Sequence, residues 1–167
     1  MTKLHKLIAW SEILGGVAGL IMLPVMFYKN VLSLGFLFYV GCAIAFGLSF
    51  TAGFLLLRRR LAGVRLSALL QGLQVLQVST ASFQFKYISG PQILLAFGKG
   101  RFAFSPGFYA SLWIGPPLGN SPSYVGINLF AAIALWYLLA RPISISKPVL
   151  ATMQSEEVTS PEAQGES

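Results

Sequence analysis

Acidic residues are scarce in this chain, and their scarcity limits the chemistry that it can perform. The 167 residues include no aspartate, one histidine (His5) and one cysteine (Cys42). Only Glu12 lies outside the C-terminal region among the five acids. The other four are Glu156, Glu157, Glu162 and Glu166. Paired carboxylates, metal clusters and nucleophile–histidine pairs all need residue types that are absent or scarce here. We therefore expect no enzyme, no metal site and no cofactor.

Charge of either sign is also sparse. Charged residues make up 10% of the chain and hydrophobic residues 55%, whereas an ordinary soluble domain is about 25% charged. Such a chain lacks the polar surface that water requires, so a membrane is its expected solvent. The single cysteine excludes an intramolecular disulfide.

Four apolar segments predict the architecture. They cover about residues 7–28, 31–57, 63–83 and 124–140, and a membrane-spanning helix needs about 20 such residues. We predict an all-α membrane protein, a four-helix transmembrane bundle with 1–142 as its membrane domain. The acidic, Ser- and Pro-containing segment 143–167 has the composition of a disordered cytoplasmic tail.

Residues 84–121 break this hydropathy pattern. Aromatic and polar residues alternate near Phe85 and Tyr87, and the turn-forming sequence Gly98-Lys99-Gly100-Arg101 separates two short apolar runs. We predict a small β-hairpin cap in the non-cytoplasmic loop between spans 3 and 4. A re-entrant hairpin is the alternative.

Clustered arginines predict the orientation. Arg58, Arg59, Arg60 and Arg65 lie between two apolar segments, and short basic loops stay on the cytoplasmic side. With an even number of spans, both termini should then be cytoplasmic, in a cell membrane of bacterial type. The net charge of +7 has this topological explanation, because the basic residues form no stripe with interleaved aromatics. We expect no nucleic-acid partner.

Small residues predict how the first two spans pack. They recur every three or four positions, a spacing that lets helix backbones approach closely. In the first span they are Gly15, Gly16 and Gly19, and in the second Gly41, Ala45, Ser49 and Gly53. We expect these two faces to meet.

Polar residues inside the apolar segments define a candidate polar seam. Its members are Glu12, Ser67, Gln71, Gln74 and Asn128. Glu12 and Gln71 lie at comparable depth in the first and third spans, so they can touch if these spans adjoin. Hydrogen bonding between helices is one explanation of the seam, and a lining for a ligand or ion path is the other.

Two functions follow from these features. The first is a small multi-pass integral membrane protein with a structural or accessory role. The alternative is an oligomeric transporter or channel subunit whose polar seam lies within the membrane. The expected partners are the lipid bilayer and either a second copy of the chain or another membrane protein.

Overall fold

A computed structural model describes residues 2–28, 36–116 and 122–141 of the chain. The described helices are α1 (Lys3–Tyr28), α2 (Phe36–Leu57), α3 (Leu61–Val75) and α4 (Leu129–Ala140). The described strands are β1 (Leu76–Ser79), β2 (Gln84–Gly98), β3 (Arg101–Gly115) and β4 (Tyr124–Asn128). The predicted tail, residues 143–167, lies outside the described residues, as do 29–35 and the end of the predicted cap at 117–121.

The prediction of an all-α four-helix bundle is wrong, because the fold is α+β with a four-stranded antiparallel sheet. The predicted third span, 63–83, is wrong beyond Val75, where the helix α3 ends. There the backbone turns extended, with φ −102° and ψ 130° at Leu76, and β1 begins without a loop. Along β1 burial alternates with period two, a strand pattern that an average hydropathy over the segment does not reveal.

The predicted fourth span, 124–140, also divides into a strand and a helix. Tyr124–Asn128 forms β4, and α4 covers only 12 residues. Asn128 ends the strand and caps the helix, since its side chain accepts a hydrogen bond from the backbone N–H of Ala131. An asparagine at this position favours helix initiation, so the segment changes conformation here.

Two helices are long and apolar enough to cross a membrane, judged by length and composition. They are residues 3–25 of α1 and 36–57 of α2. α4 is apolar but shorter. The four predicted spans therefore reduce to two candidates among the described residues.

The predicted small cap is instead the largest part of the sheet. β2 and β3 pair along their full 15-residue lengths, from Gln84 opposite Gly115 to Gly98 opposite Arg101. Lys99 and Gly100 form the two-residue turn with φ of 49° and 71°, the left-handed geometry that tight hairpins require.

Three strands close on one another to form a half-barrel. β1 pairs with β4 and with the start of β2, and β4 pairs with the end of β2. β3 continues the sheet beyond β2 as its open edge. We call β1, β2 and β4 the strand ring.

Close helix packing involves only part of the predicted small-residue faces. A Cβ on Gly16 would lie 2.7 Å from Phe46 O, and Gly19 and Gly53 are equally tight between α1 and α2. Ser49 bonds to α1 through the carbonyl of Glu12. Gly15 instead packs against the β2 backbone, and the Ala45 carbonyl accepts a hydrogen bond from Tyr87 of β2. A Cβ on Gly41 would meet no atom of the described residues within 4 Å.

The arginine connection forms a tight turn between α2 and α3. Arg59 adopts a left-handed φ of 54°, and the N–H of Arg60 donates to Leu55 O at 3.0 Å. Gly63 then lies directly against the end of α2, where a Cβ would collide with backbone atoms of Leu55 and Leu56. This turn sets α3 antiparallel to α2, with Arg58–Arg60 and Arg65 exposed.

Candidate functional site: a buried polar core

The Glu12 carboxyl group lies at one end of a buried polar core. Ser67 Oγ donates to its Oε2 at 2.6 Å, and Gln71 Nε2 donates to its Oε1 at 3.1 Å. Ser67 and Gln71 are four residues apart on α3, so one helix face presents both donors. The structure thus brings together three of the five predicted seam residues.

Both partners of this carboxyl group are neutral. Glu12 is 0% exposed, and within the described part of the chain no cation pairs with it. A buried carboxylate is costly unless hydrogen bonds or charges compensate it. The charge state of Glu12 therefore depends on the hydrogen bonds that its surroundings supply.

Two serines connect Glu12 to the sheet. Ser49 of α2 donates to the Glu12 carbonyl at 3.2 Å, and its Oγ lies 2.8 Å from Ser89 Oγ of β2. All three residues are buried. The polar core thus joins α1, α2 and β2.

Side-chain amides bond to β2 along the part of its edge where neither β1 nor β4 pairs with it. β1 pairs with β2 only at residues 84–85, and β4 only at 94–97. Between them, Ser89 N–H donates to Gln74 Oε1 at 3.0 Å, and Ile93 N–H donates to Asn128 Oδ1 at 3.2 Å. Alternate strand residues point their N–H groups the same way, and Pro91, between these two, has none. Gln74 and Asn128 thereby accept the hydrogen bonds of the two β2 N–H groups in this gap.

The remaining two seam residues therefore serve β2 and not Glu12. Gln74 contacts Ser89, one helical turn beyond Gln71. Asn128 lies at the β4–α4 junction, where it accepts from both Ile93 and Ala131. Neither side chain bonds to Glu12 in the structure.

The inner face of the strand ring is polar. Register pairs Ser79 with Gln84 and Gln77 with Gly126, and directly opposed residues share a face. By the alternation along each strand, seven polar residues share this face: Gln77, Ser79, Gln84, Lys86, Gln92, Tyr124 and Asn128. Gln84, Lys86 and Tyr124 are half-buried, and the others are buried.

Many polar atoms of this core have no hydrogen-bond partner among the described residues. They belong to amide side chains spaced three residues apart along α3 and β1, and to other side chains of the strand ring. The atoms are Gln71 Oε1, Gln74 Nε2, Gln77 Nε2 and Oε1, Ser79 Oγ, Gln84 Oε1, Gln92 Nε2 and Asn128 Nδ2. Buried polar groups in native proteins are normally bonded to protein or to water.

Sequence reasoning missed several members of this core. Gln77, Ser79, Ser89 and Gln92 were absent from the predicted seam. The alternation of apolar and polar residues in Leu76-Gln77-Val78-Ser79 is the available signal, but the interpretation of 63–83 as one helix conceals it. Ser89 and Gln92 are placed by long-range strand pairing, which local patterns do not encode.

The outer face of the strand ring is apolar and exposed where β4 pairs with β1 and with the end of β2, whereas Tyr87 and Ser89 on the same face of β2 are buried against α2. Leu95 pairs with Ile127, and Phe97 pairs with Val125, and all four side chains are exposed. Leu76 of β1, opposite Ile127, is exposed too. The ring thus has polar residues inside and apolar residues outside, the reverse of a water-soluble sheet.

Neither a metal centre nor a known relative explains this core. Within residues 2–28, 36–116 and 122–141, no three His, Cys, Asp or Glu side chains come together to hold a metal ion. Comparisons with protein-family models, curated proteins and solved structures gave no match. The function is therefore inferred from the geometry of the polar core.

Proposed function

We propose that the protein is embedded in a membrane and acts as a transport component, with Glu12 as the group that takes up and releases a proton. The observation that carries the proposal is the buried Glu12 carboxyl group held by Ser67 and Gln71 alone. Ionisable groups inside membrane proteins are costly, and they mark proton and solute pathways.

The distribution of polarity supports the membrane location. Only 39% and 33% of the most apolar windows in α1 and α2 are buried, whereas a core helix of a soluble protein is mostly covered. Leu37, Phe102 and Leu139 are 83%, 86% and 69% exposed, while Glu12, Gln77 and Asn128 are 0% exposed. Contact of the exposed apolar side chains with lipid tails is favourable, whereas their contact with water is costly.

The geometry around Gln71 supports proton exchange. With Glu12 ionised, Gln71 Nε2 donates to it. With Glu12 protonated, a rotation of the amide would present Gln71 Oε1 as acceptor. That oxygen has no partner among the described residues, so the rotation breaks no hydrogen bond that Oε1 already accepts from them. One side chain can therefore serve both charge states.

Proton flux through reconstituted vesicles tests the transport role. Vesicles with an entrapped pH-sensitive dye and an imposed potential should acidify faster with wild-type protein than without it. Glu12→Gln keeps shape and hydrogen bonding but loses titration, so it should remain folded and lose the flux. The matched variant Glu12→Asp keeps an acid and should retain part of the flux. Equal flux from wild type and Glu12→Gln would contradict the proposal.

A structural or accessory role is the second candidate, and the open edge of β3 favours it. No described strand pairs with this edge, and unpaired backbone groups in lipid cost several kcal/mol each. We propose that the β3 edge pairs with that of a second copy of the chain. Native mass spectrometry from detergent should then show dimers. Phe104→Lys, at a 64% exposed position on this strand, should favour monomers, and a monomeric wild type would exclude self-pairing.

A further inference from the structure

We infer that the interior of the strand ring holds a file of water molecules that connects Glu12 with the solvent at the hairpin end of β1. The inference rests on the proposed function, because the file supplies the route by which the Glu12 proton exchanges. It adds a binding site for small, uncharged hydrogen-bonding molecules, of which water is the one always present.

The unpartnered polar atoms follow one line through the chain. Gln71, beside Glu12, and Gln74 are one helical turn apart on α3, and Gln77 follows on β1. Each has at least one buried amide atom without a partner among the described residues. Ser79 then continues the line to the exposed turn that begins at Thr80. In chain order, these residues lead from the neighbour of the Glu12 carboxyl group to the exposed turn.

The composition of these atoms selects the occupant. Gln74, Gln77, Gln92 and Asn128 each offer an amide N–H group, while Gln71, Gln77 and Gln84 each offer an amide oxygen. Donors and acceptors are mixed, and none of these side chains is charged. Such a lining matches molecules that both donate and accept, and buried water commonly bonds to otherwise unpartnered groups.

Backbone contacts hold two of these side chains in place. Gln74 Oε1 is engaged by Ser89 N–H, and Asn128 Oδ1 by Ile93 N–H. With their oxygens fixed, both amides keep an N–H group available in the core. The same bonds that complete β2 therefore orient donors for the file.

Silver ions test the route, because Ag⁺ crosses hydrated paths and reacts with thiols. In a Cys42→Ala background, cysteines are introduced singly at Ser79 in the strand ring and at Ser67 beside Glu12, both 0% exposed. Ala134→Cys is the matched control, since Ala134 is 2% exposed but lies in an apolar cluster. Proteoliposomes in nitrate buffer are treated with Ag⁺, and free thiols are counted by maleimide labelling and mass spectrometry.

We expect both serine positions to react on the order of tenfold faster than the Ala134 control, as hydration of the core requires. Adding Gln77→Leu should slow Ser67→Cys by a similar factor and leave Ser79→Cys unchanged, because it interrupts the file between them. Thermal unfolding of each variant verifies that it is folded.

Three results would overturn the inference. They are an unreactive Ser67→Cys, a Ser67→Cys rate that Gln77→Leu does not change, and equal rates at all positions including Ala134. If one of these occurs while Glu12→Gln still abolishes proton flux, the route is wrong and the transport role stands. If silver reacts as expected but wild-type protein conducts no protons, hydration stands and the transport role fails.

Discussion

Gln74 Oε1 accepts the backbone N–H of Ser89 at 3.0 Å, whereas no atom of the Gln77 amide has a partner among the described residues. The two glutamines are three positions apart and equally buried. They form a natural pair for measuring what each amide contributes.

Gln74→Leu should destabilise the protein more than Gln77→Leu. The first change leaves a buried N–H of β2 without its acceptor, which costs about 1–3 kcal/mol. The second removes no hydrogen bond to another described residue. Thermal unfolding in detergent, followed by circular dichroism, gives the comparison. Equal losses in both variants would show that Gln74 does not complete the β2 backbone.

Gly16→Leu should disrupt the contact between α1 and α2. Its Cβ would lie 2.7 Å from both Phe46 O and Phe50 N, and overpacking of this kind costs about 1–3 kcal/mol. Gly41→Leu is the control on the same helix pair, because Gly41 has open space around it. Leucine also favours a helix over glycine, by up to about 1 kcal/mol.

The readout for this pair is the unfolding temperature in detergent. It should fall for Gly16→Leu and stay constant or rise for Gly41→Leu. The reverse order would mean that the first two helices meet through different faces.

The exposed arginines between α2 and α3 predict a membrane orientation. If Arg58–Arg60 stay cytoplasmic, the end of α1 must lie on the other side of the membrane. In a Cys42→Ala background, Tyr28→Cys, at a 90% exposed position, should react with a membrane-impermeant maleimide in intact cells. Arg60→Cys should react only after the cells are opened. The opposite labelling pattern would show that the arginines lie on the non-cytoplasmic side.

Local spacing predicts that Ser67 and Gln71 share a helix face, but their contact with Glu12 depends on whether the first and third spans adjoin. Local spacing does not predict the sheet. Ser67 and Gln71 share a helix face because they are four residues apart. α1 and α3 run parallel and both pack against α2, and this arrangement brings that face to Glu12. β1 and β4 fall within apolar segments of sufficient average hydropathy for helices, although their burial has period two. Hydropathy alone does not separate a buried strand from a buried helix.

Pairing over long sequence distances explains the rest. Gln92 lies in the core because β2 pairs with β4. These two strands are about 30 residues apart in the chain, and β3 lies between them in sequence. Asn128 appeared as one polar residue in an apolar helix, yet it terminates a strand, caps α4 and binds β2. Neither role is visible in a local window.

Quenching of tryptophan fluorescence tests the central claim, that lipid covers the apolar exterior. Trp10 and Trp136 are 53% and 68% exposed, and Trp113 is 7% exposed, so three single-tryptophan variants made by Trp→Phe changes report different surfaces. In vesicles, brominated lipid should quench Trp10 and Trp136 strongly and Trp113 weakly, while aqueous iodide should leave all three bright. Strong iodide quenching of Trp10 and Trp136, without quenching by brominated lipid, would place these surfaces in water and contradict the membrane location.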